Sequence, residues 1–110
     1  MKAFEIGLLG EMRAAGYLKK QGLRVIERQY RTPHGEIDLI AKDGETLVFI
    51  EVKTRTGGRI GEGIRAVSAE KKRYLRFAAQ SYLRQHPASS VRFDLVEITA
   101  AGLRHIRNAW

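Results

Sequence analysis

The sequence has no cysteine and only two prolines, one tryptophan and three histidines. Without cysteine there are no disulfides and no thiolate metal ligands, and a reducing compartment is the natural home. The histidines, His34, His86 and His105, show no paired ligand spacing, which argues against a zinc site. No apolar run approaches the roughly 20 residues that a membrane span needs. Met1-Lys2-Ala3-Phe4-Glu5 is too polar, and its apolar run too short, for a signal peptide. The expectation is a cytoplasmic protein with no membrane partner. Internal repeats and low-complexity tracts are missing as well. Acidic side chains are few, 12 against 20 Lys and Arg.

What remains is a chain of 110 residues, 44% hydrophobic, which predicts one folded domain over residues 1–110. The net charge of +8 and pI near 10.2 make a polyanion, nucleic acid above all, the first partner class to consider. The plain alternative is a basic but inert surface. Against it stands the placement of the acids, because a net positive chain still gathers carboxylates on one hairpin.

The elements follow from periodicity. Residues 3–21 read as a helix with Phe4, Leu8, Ala15 and Leu18 on one stripe, ended by Gly22. Glu11 falls in phase with that stripe, where an acid costs desolvation unless a positive group meets it or it lies at the wet edge. Gly7, Gly10 and Gly16 let the helix lie close to a sheet. Residues 23–31 read as a strand carrying Arg24, Arg28 and Arg31, either along a phosphate backbone or as a solvated face. A hairpin spans 35–55, and Leu47-Val48-Phe49-Ile50, apolar on both faces, marks its second strand as central. The loop Thr56-Gly57-Gly58-Arg59-Ile60-Gly61-Glu62-Gly63 is no P-loop, since no Gly-Lys-Ser/Thr follows. It reads as a plain connector or as a basic flap over a substrate. A second helix runs from the N-cap Ser68 to Gln85, with Leu75, Ala78, Ala79 and Tyr82 buried and Lys71 in phase with them. Lys71 either extends into solvent or meets the acidic cluster or a bound phosphate. Strands at 91–98 and 103–106 complete the order α-β-β-β-α-β-β. This predicts an α/β domain with a mixed sheet flanked by helices.

In the hairpin, Asp43-Gly44 suits a two-residue primed turn that pairs Lys42 with Glu45. Asp38 then falls opposite Phe49 and Glu36 opposite Glu51, so Asp38 and Glu51 are diagonal neighbours, with Lys53 beside them. Glu36, Asp38, Glu51 and Lys53 are expected on one face, and Leu39, Val48, Ile50 and Val52 on the other. Two carboxylates about 6 Å apart repel by about 3 kcal/mol at an effective dielectric of 20. Lys53 alone can neutralise one of them as an ordinary ion pair. A divalent cation neutralises both, and an oxygen set of Asp38, Glu51 and the Val52 backbone carbonyl suits Mg²⁺ or Mn²⁺. Glu11 would join through a water or hold a second ion. Phosphodiester hydrolysis fits this set, with Lys53 positioning the attacking water and Lys71 at the scissile phosphate.

Glu-x-Lys alone is common; the combination is more specific. Asp38 followed by Glu51-Val52-Lys53 resembles the PD-(D/E)xK nuclease signature, with Ile37 where the superfamily's name has proline. The α-β-β-β-α-β order is similar to the core shared by restriction endonucleases and Holliday-junction resolvases. Gly10-Glu11, Ala14, Leu18, the run Gly35–Ile40, Phe49–Arg55, Lys71 and Arg92-Phe93-Asp94 resemble the bacterial YraN family of predicted endonucleases over nearly the whole chain. The resemblance implies a restriction-endonuclease-like fold and a metal-dependent endonuclease acting on DNA, including branched or junction DNA. Two cuts at a junction would require a homodimer. Arg31, Arg55, Arg59, Lys71 and Lys72 are the candidate nucleic-acid contacts. Two other readings stay open, a non-catalytic nucleic-acid-binding module on the same fold and a structural protein whose charges are ion pairs. Glu36 and Asp94 have no assigned role.

Overall fold

The computed structural model describes residues 3–55 and 67–110, with the side chains of Ala3 and Phe4 outside that description. Helix α1 spans Ala3–Lys20 and is followed by strands β1 (Arg24–Thr32), β2 (Gly35–Asp43) and β3 (Thr46–Thr54). Helix α2 (Ala69–Gln85) crosses over to β4 (Ser90–Thr99) and β5 (Gly102–Ile106). The strands form one sheet in the order β1-β2-β3-β4-β5, with β3 and β4 parallel and the other pairs antiparallel. This is the mixed α/β architecture and element order expected from the sequence.

Among the described residues, each face of the sheet carries one helix. Ala14, Ala15 and Leu18 of α1 pack on Leu39, Ala41, Val48, Ile50, Val96 and Ile98. Leu75, Ala78, Ala79 and Tyr82 of α2 pack on Ile37, Ile40, Leu47, Phe49 and Leu95. Helix α1 stops because Gly22, at φ +90°, lets Gly22 N–H reach Lys19 O and Leu23 N–H reach Leu18 O (3.1 and 3.0 Å). That is the paired 5→2 and 6→1 closure of a Schellman end, with Leu18 and Leu23 in apolar contact beneath it. Helix α2 starts where predicted, the Ser68 hydroxyl accepting Lys71 N–H at 3.1 Å. Of the three α1 glycines only Gly10 is needed for close approach: a Cβ there would run into the Thr54 hydroxyl, whereas Gly7 and Gly16 face open space.

The hairpin register differs from the expected one by two residues. Asp43 pairs with Thr46 and Leu39 with Ile50, so Gly44-Glu45 form the turn. Gly44 has φ +60° and Glu45 is not in the left-handed region. Those signs match a type II′ turn, which wants glycine first, rather than the type I′ turn that would put it second. The shift is even, so parity survives. Continued one residue past Leu39–Ile50, this register brings Asp38 across from Glu51 instead of diagonal to it.

Candidate functional site

The ladder between β2 and β3 ends at Leu39–Ile50, one residue before Asp38. Leu39 and Ala41 face α1 and Ile40 faces α2, yet Ile37 also faces α2, so alternation breaks at Asp38. On the neighbouring strand the break is matched by Gln29, at φ +49°, between the pairs Arg28–Leu39 and Tyr30–Ile37. A left-handed glutamine is uncommon, and such backbone persists where its surroundings enforce it. The two strands splay here, and the Asp38 carboxylate turns into the gap, accepting Val52 N–H at 2.7 Å. In an extended strand a residue's N–H and C=O point the same way, so the Val52 carbonyl faces this gap too.

Around Asp38 the predicted residues gather from both layers. Glu11 of α1 lies within hydrogen-bonding reach of Asp38, and Gln29 Nε2 donates to Glu11 Oε2 at 2.9 Å. The partner that meets Glu11 on its stripe is thus a neutral amide, not the ion pair weighed from the sequence. Glu51, 5% exposed, has Lys71 Nζ of α2 at 3.9 Å from Oε1. Lys71 therefore turns to the acidic cluster rather than to solvent alone. An open cleft of about 870 Å³ runs past Glu11, Asp38, Glu51 and Lys53, with Arg31 and Arg55 on its walls.

Electrostatics set the state of the pair. The Asp38 carboxyl is pushed up to about 8, first by burial and then by the Glu51 charge, with the Val52 N–H opposing. Burial likewise raises Glu51, against the pull of Lys71 and Lys53. Glu51 Oε2 is buried with no donor among the described residues. A buried acceptor left so is costly. Two things satisfy it in this geometry, a proton kept on Asp38 or a cation held between the carboxylates. The donor set of Asp38, Glu51 and the Val52 carbonyl is all oxygen and fits Mg²⁺ or Mn²⁺, ions that retain several waters. Among the described residues no three His, Cys, Asp or Glu side chains form a preformed cage.

Some expected members stand apart. Glu36 lines the same cleft as Asp38, Glu51 and Lys53, and its charge adds to the upward push on Glu51. The register shift takes it out of direct opposition to Glu51, and it pairs across the strands with Arg31 at 3.4 Å. Lys72 is half-buried on α2 and is not among the cleft-lining residues. Arg59 and the glycine-rich loop lie outside the described residues. Asp94 belongs to a different cluster. It is fully buried and receives Arg92 (2.9 and 3.1 Å), His105 Nε2 (2.7 Å) and Asn108 N–H (3.1 Å). Burial would raise its carboxyl, but the hydrogen bonds from His105, Arg92 and Asn108 outweigh it and hold the group below its ordinary value. Arg92 also reaches Asp43 at 2.9 Å, so this cluster ties β4 to the hairpin turn.

Two residues near the cleft escaped the sequence reading. Gln29 carries no pattern that marks a left-handed position. Glu97, level with Lys53 on the parallel neighbour and fully buried, was readable only as part of an apolar strand.

A family model described as "Uncharacterised protein family UPF0102" matches residues 10–98. The chain is 49% identical over 96 residues to a UPF0102 protein of Mycolicibacterium vanbaalenii, covering 86% of this chain and 79% of the relative. It is 41% identical to one of Herminiimonas arsenicoxydans, covering 94% and 85%. A relative from Thermodesulfovibrio yellowstonii is 39% identical over 114 aligned residues, covering 100% and 99%.

Proposed function

The chain belongs to the UPF0102 family, and we propose that within this uncharacterised family it is a divalent-metal-dependent endonuclease acting on DNA. The observation that carries the proposal is the buried Glu51 Oε2, without a donor among the described residues, close to Asp38 in a cleft with Arg31 and Arg55 on its walls. The likeness to PD-(D/E)xK and YraN nucleases supports the same reading.

Asp38, Glu51 and the Val52 carbonyl would hold Mg²⁺ or Mn²⁺, with Glu11 reaching it through a water. When bound, such an ion shields the phosphate and lowers the pKa of an attacking water. The chain's own groups do the rest. Val52 N–H fixes one Asp38 oxygen and leaves the other for the gap. Gln29 orients Glu11 toward the same point. Lys53 orients the water and offsets the negative charge that builds at phosphorus, while Lys71 balances Glu51 and approaches the scissile phosphate. Arg31 and Arg55 line the path of the flanking backbone. Action on branched or junction DNA, with two copies paired, is the finer form of this reading.

A second reading has one observation in its favour. The Val52 N–H bond gives Asp38 a structural task without any metal, as a wedge that closes the splayed strands. The protein would then be a nucleic-acid-binding module.

Labelled DNA and RNA of several shapes, incubated with Mg²⁺ or Mn²⁺, separate the two. Endonuclease action predicts cleavage by the wild type that falls about 100-fold or more in Asp38→Ala and in Lys53→Ala, with binding retained. No cleavage by the wild type, or cleavage indifferent to both changes, refutes it.

A further inference from the structure

Helix α2 exposes two aromatic rings on the flank beside the β1–β2 turn. Tyr74 is 43% and Phe77 47% exposed, although the apolar core lies one helix face away. Each ring has one side-chain neighbour. Tyr74 OH donates to Glu70 Oε1 at 3.0 Å, and the Phe77 ring lies 6.0 Å from the His34 ring, tilted by 49°. The turn that carries His34 is itself pinned, Thr32 Oγ1 accepting His34 N–H (3.1 Å) and donating to Gly35 O (3.0 Å). At Gly35 a Cβ would stand 3.2 Å from the Tyr74 carbonyl oxygen, so turn and helix are in direct contact.

Between Tyr74 and this turn opens a second depression of about 650 Å³, which shares Arg31 and Glu36 with the carboxylate cleft. Lys71, which reaches Glu51, precedes Tyr74 by three residues on the same helix, one neighbouring position along its surface. Arg73 and Arg76 are exposed beside the rings, and Arg31 has a side chain 68% exposed. Exposed aromatic faces set among cations, next to a cleft suited to phosphate, match the chemistry of an unpaired nucleotide. Its base has a free π face to stack, and its phosphates meet the Lys and Arg side chains. A base inside a duplex offers no such face.

We infer that Tyr74, Phe77 and His34 form a stacking platform for an unpaired nucleobase of single-stranded nucleic acid whose backbone enters the Asp38–Glu51 cleft. The inference rests on the nucleic-acid reading of that cleft. It makes a strand with unpaired bases beside the site the preferred substrate over continuous duplex.

The test is fluorescence anisotropy in EDTA, so that nothing is cut, with labelled oligothymidine of about 16 nucleotides against a blunt duplex of equal length. The wild type should prefer the single strand. Phe77→Ala and Tyr74→Ala should each lose about tenfold or more of single-strand affinity, much more than they lose on duplex. Phe77→Trp should restore it. The slope of log affinity against log salt should stay with the wild type in Phe77→Ala, because no phosphate contact is removed. Undiminished single-strand binding in both alanine variants overturns the platform. So does equal loss on both probes, or a wild-type dimer in sedimentation that Phe77→Ala dissociates, which would make the rings a self-association surface. A wild type that shows the preference but cuts nothing in either Mg²⁺ or Mn²⁺ refutes the endonuclease proposal and leaves the platform standing. One that cuts while both alanine variants keep full single-strand affinity does the reverse.

Discussion

Replacing Asp38 by Asn removes a charge that the fold resists while keeping an oxygen for Val52 N–H. The folded carboxyl is raised from 3.8 to about 8, mainly by burial and by Glu51. Between about pH 4 and pH 8 the folded protein therefore holds a proton that the unfolded chain releases. Stability must fall as pH rises through that window and level off above it. At about 1.4 kcal/mol per unit the full shift from 3.8 to about 8 has a ceiling on the order of 6 kcal/mol. That is a large part of the 5–15 kcal/mol typical of a domain. Glu51, raised by burial too, contributes with the same sign. Asp94, held low, supplies stability that is lost only as pH drops below about 4, outside this window. Urea unfolding of wild type and Asp38→Asn in EDTA from pH 4.5 to 9, followed by circular dichroism, measures the difference. Asp38→Asn should match the wild type near pH 4.5 and exceed it by several kcal/mol at pH 8 to 9. A wild type whose stability is flat or rises from pH 5 to 8, or an Asn variant less stable at pH 8, would refute the burial argument.

The other predictions are more compact. Mg²⁺ or Mn²⁺ at about 100 times its dissociation constant should add about 2.7 kcal/mol, or roughly 10 °C in Tm, and Asp38→Asn should lose that shift in a thermal melt. Because the ion takes the place of a proton on Asp38, titration calorimetry should show metal affinity rising with pH up to about 8 and proton release below it. Gly10→Ala drives a methyl into the Thr54 hydroxyl and should cost about 1–3 kcal/mol in urea, while Gly16→Ala, in open space, should not destabilise. Asp94→Ala leaves His105 and part of Arg92 without their buried acceptor and should cost about 3–5 kcal/mol by the same measurement.

Much of this molecule is legible from spacing. The two helices, their ends at Gly22 and Ser68, and the central character of β3 follow from apolar period and cap chemistry, which are local. Glu11 and Lys71 were traceable because each sits in phase with a buried stripe. What escapes is whatever depends on a single backbone choice. Gly44 suits either place in a primed turn, and because the two registers differ by an even shift the apolar pattern is the same in both; taking the first place moves Asp38 opposite Glu51. The left-handed Gln29 that splays the strands has no compositional mark. Tyr74 and Phe77 lie off the buried stripe of α2, so periodicity does not mark them, and their setting comes from the turn that packs beside them. Arg92-Phe93-Asp94 was visible as a motif, but its task in joining β4 to the hairpin turn required the fold.

Strand β1 ends the sheet on one side, and an uncapped edge of nine residues would ordinarily invite another chain to pair with it. Here the invitation is withdrawn three times over. Arg24, Arg28 and Arg31 stand exposed along it, a bulge interrupts it between Val25 and Glu27, and Gln29 twists it out of line. Two copies meeting at this edge would bring like charges together on strands of mismatched pitch. The kink beside the cleft therefore also guards the sheet edge against pairing with another copy, so straightening it to stabilise the strand would exchange an open cleft for an aggregation-prone edge.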